Sequence, residues 1–178
     1  MHHRIAAFLL GAWILGSLFM MFAATQNFAA VNRVLAATPP TTIQAIGNDQ
    51  ARQLLRDMAG QANQVLFVAW EYTQVILSAA LAGLLLFGVR NRLLGSFALG
   101  LLLLTAIQRL FITPEMIGLT SRLDSAAAAS RFGELHAIYG ITEVLKLLIA
   151  VVIGCILLPD WRSRSRVAAE LPAVKYAR

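Results

Sequence analysis

Cysteine occurs once, at Cys155 in the apolar run from Leu147 to Leu158, so the chain alone builds neither a disulfide framework nor a thiolate metal site. Charge is scarce too, at 13% of the 178 residues against 58% hydrophobic. That balance is too apolar for an ordinary soluble domain of this length and places the chain among membrane proteins, as a single domain over residues 1–178. No glycine-rich phosphate loop, paired CxxC, HExxH or GxSxG motif is present. No nucleophile can be placed beside a base, and Met20, Met21, Met58 and Met116 are too scattered to bind copper. Catalytic residues, a metal site and a resident cofactor are therefore not assigned. Acids are outnumbered, nine against fifteen bases, which gives a formal charge of +6.

What the chain does have is long uncharged runs. Ile5 to Ala24 is about the length an apolar helix needs to cross roughly 30 Å of hydrocarbon. It is read as the first span rather than a cleaved secretory signal, whose apolar core runs only about 7 to 15 residues. Val65 to Val89 is the second span, Leu93 to Ile112 the third, with Pro114 as its stop, and Leu135 to Leu158 the fourth, closed by Pro159 and Asp160. The expectation is an all-α integral membrane bundle of four transmembrane helices. Between the first two spans lies a breaker, Thr38, Pro39, Pro40, Thr41 and Thr42. It is followed by a stretch in which Leu54, Leu55 and Met58 form an apolar strip beside Arg52, Arg56 and Asp57, as an interfacial helix would. The run Ala126 to Ala129 favours helix in the later connection.

Basic residues sort by side. Arg4, Arg90, Arg92, Arg162, Arg164, Arg166, Lys175 and Arg178 fall together against only Asp160 and Glu170. Positively charged loops are retained in the cytoplasm, so both ends and the basic tail, residues 159–178, are expected there. The opposite side carries Arg33, Arg52, Arg56, Arg109, Arg122 and Arg131 against Asp49, Asp57, Glu71, Glu115, Asp124 and Glu134, and sums to zero. The excess is thus an orientation and anionic-lipid signal rather than a nucleic-acid surface. Trp161 suits an interfacial anchor on the basic side and Trp70 on the other. A bacterial inner membrane is the expected location.

In the fourth span Phe132, His136, Tyr139, Glu143, Lys146 and Ala150 fall within about an 80-degree arc of one helix face. Charges at mid-membrane are costly, about 2.5 to 3.5 kcal/mol each on insertion scales, so this face should point into the bundle. Glu143 and Lys146 are one turn apart and can neutralise each other. Gln26, Asn27, Glu71, Gln74, Gln108, Arg109 and His136 gather toward the noncytoplasmic end, with Glu71 and Arg109 as the expected ion pair. The spacings Ala12 to Gly16 and Ala79 to Gly83 suit close helix contacts. Without a second intramembrane histidine the chain alone cannot supply two axial ligands to a haem, so a haem role for His136 requires a ligand from a partner, beside the proton and quinone roles open to it.

The third span exits through Ile112, Thr113, Pro114, Glu115, Met116, Ile117, Gly118 and Leu119, and the fourth opens with Phe132, Gly133, Glu134, Leu135, His136, Ala137, Ile138 and Tyr139. This proline-containing exit and Phe-x-x-Leu-His start resemble the bacterial family called domain of unknown function 4149, related to the eukaryotic transmembrane protein 205 type. The resemblance covers Leu93 to Leu158 best and extends to Gln61, Ala62, Asn63, Phe67, Trp70, Glu71 and Gln74 at the opening of the second span. It implies a four-helix membrane fold, no established chemistry, and motif positions at Pro114, Phe132 and His136.

The leading expectation is a noncatalytic membrane protein. Its polar core, drawn from Glu71, Arg109, His136, Tyr139, Glu143 and Lys146, serves packing, homo-oligomerisation or association with another membrane protein. Two alternatives stand beside it. One is a small transporter whose polar path those residues line; the other is a subunit contacting quinone or haem through His136 and Tyr139.

Overall fold

A computed structural model describes residues 1–170 except 40, 42, 44, 46 and 124, with side chains described as far as residue 158. Pro40 and Thr42 of the breaker, Asp124, and Lys175 and Arg178 of the tail lie outside the described residues, as do the side chains of Trp161, Arg162, Arg164 and Arg166. Helix α1 runs His2–Ala37 and α2 runs Asn48–Gly83, prolonged by a π turn over Leu84–Val89. Helix α3 runs Arg92–Ile107, a second π turn covers Gln108–Ile112, α4 runs Thr113–Thr120, and α5 runs Ala126–Glu170. No strand occurs among the described residues. The four helical rods, with α3 and α4 forming one, are each long and apolar enough to cross a membrane.

Every rod is longer than the apolar run that seeds it, because backbone hydrogen bonding propagates along the axis at little further cost once a turn exists. The stretch around Leu54 to Met58, expected as a helix leading into the second span, forms the opening of α2 and is continuous with the apolar part. Two prolines expected to end helices do not. Pro159 lies inside α5, and Pro114 sits in the first turn of α4, where a missing N–H costs least. The π turn just before it makes this possible: the Thr113 N–H bonds to the Gln108 carbonyl, five residues back.

The rods join tightly at one end. Arg90 adopts a left-handed conformation, φ 57°, that caps the π turn by donating its N–H to the Leu85 carbonyl, which Asn91 also uses. Asn91 then caps α3, its side chain accepting from the Leu94 N–H, a contact generally worth about 1 kcal/mol. Near this end the core is wholly apolar, with Ala6, Leu10 and Trp13 packed on Leu81, Leu85, Leu94, Ala98, Leu101, Ile153 and Leu157.

Of the two small-residue spacings, one makes a contact. Gly16 lies so close to the Trp70 ring that an added Cβ would sit 2.2 Å from it. Gly83, by contrast, faces open space and Ala79 is exposed. Trp70, on α2, consequently packs against α1 with its Nε1 buried.

Candidate functional site

Polar side chains concentrate in the middle of the bundle. Glu71, Gln74, Ser78, Thr105, Gln108 and Lys146 are fully buried, while Ser17, Thr113 and Tyr139 are nearly so. The outside shows the reverse pattern, with Phe8 74% exposed, Ile76 69%, Phe87 80%, Phe111 68% and Ile141 69%.

The network is centred on Glu143. Lys146 Nζ donates to its Oε1 at 2.7 Å and Gln108 Nε2 to the same oxygen at 3.1 Å, while Gln74 Nε2 donates to Oε2 at 3.2 Å. Gln74 in turn accepts from Lys146 at 2.6 Å and reaches Ser17 Oγ on α1 at 3.5 Å. A primary amide can donate and accept at once. Gln74 therefore ties α1, α2 and α5 together, and Gln108 adds the rod of α3 and α4.

Glu71 forms the second half. Thr113 Oγ1 donates to its Oε1, and Arg109 Nε lies 3.8 Å from its Oε2. The Arg109 guanidinium is held on its other side by Tyr72, donating to the phenol oxygen at 2.7 Å and lying 4.7 Å from the ring centroid. The Tyr139 hydroxyl lies beside Glu71 with no aligned hydrogen bond to it, and its ring packs edge-on against Phe67 at 5.7 Å.

Five of the six residues selected from sequence thus come together: Glu71, Arg109, Tyr139, Glu143 and Lys146. His136 does not. It is exposed on α5, with its ring stacked on Phe132 at 6.1 Å. On the helical wheel it lies at the opposite edge of the stripe from Lys146, and the buried face is rotated toward Lys146.

The wide turn decides who else takes part. In a regular α-helix, residues five apart point about 140° away from each other, yet Gln108 and Thr113 both face inward across the π turn. Thr113 and Ser17 carried no sequence signal, since isolated hydroxyls in apolar runs are common. A second polar clasp lies further along α1 and α2, where Asn27 Nδ2 donates to Asn63 Oδ1 at 2.6 Å and Asn63 donates to the Ala24 carbonyl at 3.2 Å. Among the described residues no group of three or more histidine, cysteine or acidic side chains is arranged to hold a metal ion. No family model, curated protein or solved structure matches this chain.

Proposed function

We propose that the chain is a noncatalytic integral membrane protein, inserted as a four-helix bundle with both ends in the cytoplasm, whose buried polar network fixes how the helices assemble. The observation that carries this reading is the inverted side-chain distribution: Glu71, Gln74, Gln108 and Lys146 are fully buried while large apolar residues cover the outside. Water would oppose so extensive an apolar surface, whereas lipid accepts it and forces polar groups inward.

Lipid also explains why a polar core is useful. Apolar faces gain little by meeting one another when the surrounding tails are equally apolar, so packing and interhelical hydrogen bonds must select the arrangement. Glu143 takes donors from α2, the α3 rod and α5 itself. Sliding one rod by a turn against the others would separate Glu143 from the amide donor on that rod. From the Arg90 turn, Glu71 lies about 27 Å along α2, near the far edge of a roughly 30 Å hydrocarbon layer. Arg109 and Tyr72 then meet the headgroups opposite the basic face, and α1, about 54 Å long, projects beyond them.

Two measurements test the reading. Gln74→Leu removes the amide that Lys146, Glu143 and Ser17 share. It is expected to lower stability in mild detergent by about 1–3 kcal/mol; wild-type melting would count against the network as the organiser. Orientation is tested in a Cys155→Ser background carrying either Leu123→Cys or Arg92→Cys. An impermeant maleimide should label the first in intact cells and the second only after permeabilisation, and the converse pattern would reverse the topology.

A further inference from the structure

We propose that Glu71 is a proton-binding site of the bundle, loaded from the surface that Arg109 reaches, with Tyr139 as the hydroxyl that shares its proton. This goes beyond the assembly role and stands on the contrast between the two carboxylates of the network. Glu143 is saturated by Lys146, Gln108 and Gln74. Glu71 receives one aligned hydrogen bond, from Thr113, and its fully buried Oε2 has no aligned donor, with the Tyr139 hydroxyl beside the carboxyl group.

The nearest cation does not fill that role. Arg109 Nε stays 3.8 Å from Oε2 and is itself without a partner, while the same guanidinium is engaged by Tyr72. The Tyr139 hydroxyl, also without an aligned partner, borders Glu71. A carboxylate accepts only, whereas a carboxylic acid has an O–H to give. The Tyr139 O–H does not line up with the ionised Oε2, and one proton taken from water onto Oε2 forms an O–H that can be shared with Tyr139 Oη once the two side chains align. Uptake cancels the attraction between Glu71 and Arg109 and leaves Arg109 on Tyr72; release to water restores it. Arg109 is 24% exposed, so the exchange has access to the bundle surface.

The charged and titratable groups around Glu71 are Tyr72 on its own helix, Arg109 on the α3 rod, and Tyr139, Glu143 and Lys146 on α5. Helix α1 contributes Ser17, which carries no charge and joins through Gln74. Lys146 is committed to Glu143 and Gln74, so it does not compete for the proton site.

Infrared difference spectra of the full chain in lipid nanodiscs, taken between acidic and alkaline buffer in ordinary and heavy water, test this directly. The expected result is a carboxylic-acid carbonyl band that appears on acidification, shifts in heavy water, survives in the surface variant Glu115→Gln and is lost in Glu71→Gln. Glu71→Gln keeps an acceptor for Thr113. Tyr139→Phe keeps the ring against Phe67 and is expected to displace the band. A Glu71→Gln protein with an unchanged band overturns the proposal. If Glu71→Gln fails to fold, Tyr139→Phe decides alone: a displaced band supports the site and an unmoved one overturns it. The melting of Gln74→Leu, a side chain that hydrogen-bonds neither Glu71 nor Tyr139, reports on the assembly reading separately from these bands.

Discussion

Lys146→Met, made alone, is expected to destabilise the folded bundle by about 3–5 kcal/mol, because it strands the Glu143 carboxylate, only 12% exposed, without its cation. Lys146 is fully buried and donates to Glu143 at 2.7 Å and Gln74 at 2.6 Å, so the single change deletes two interactions and leaves two acceptors short. Glu143→Leu should be similarly damaging, since it strands an ammonium instead. Combining the two removes both charges together, and replacing a buried ion pair by apolar side chains is often close to neutral. The double variant should recover most of the loss. A remaining deficit of about 1 kcal/mol per amide is expected, because Gln74 and Gln108 lose their partner. Thermal melting in one detergent for all three variants reads this out, and a double variant whose loss equals the sum of the two single losses would show that the two charges act independently.

Gly16→Ala is the second large effect. The new Cβ would lie 2.2, 2.7 and 2.9 Å from three atoms of the Trp70 ring. An indole is rigid, so relief requires the whole ring or the helix to move. Overpacking of this kind generally costs about 1–3 kcal/mol. The penalty should shrink in a Trp70→Leu background, where the ring is gone, and a double-mutant cycle measures that coupling. Gly11→Ala is the matched control: nothing lies within 4 Å of its added Cβ. It is expected to be neutral or to gain up to about 1 kcal/mol from helix propensity. Equal responses at Gly11 and Gly16 would mean that Trp70 does not rest on α1.

The sequence by itself determined the four rods and the two charge pairings. Uninterrupted apolar runs permit little besides helix in a bilayer, where backbone groups must be satisfied within the segment. The 100-degree helical step placed Tyr139, Glu143 and Lys146 on one face with no knowledge of their neighbours. Glu71 and Arg109 were legible as partners because each is a single charge in an apolar run, carried by rods that lie side by side. Periodicity, however, fixes direction about one axis only. Whether a direction is covered depends on how the neighbouring rods sit, which is why His136 shares the stripe and still ends exposed. The same limit hid the role of Gln74, whose importance lies in the three helices that converge on it. Pro114 suggested a stop, and only the π turn, set by the packing of Gln108 and Thr113 against the other helices, turned it into a continuation. Local patterns decide which faces must be hidden, and tertiary packing decides what hides them.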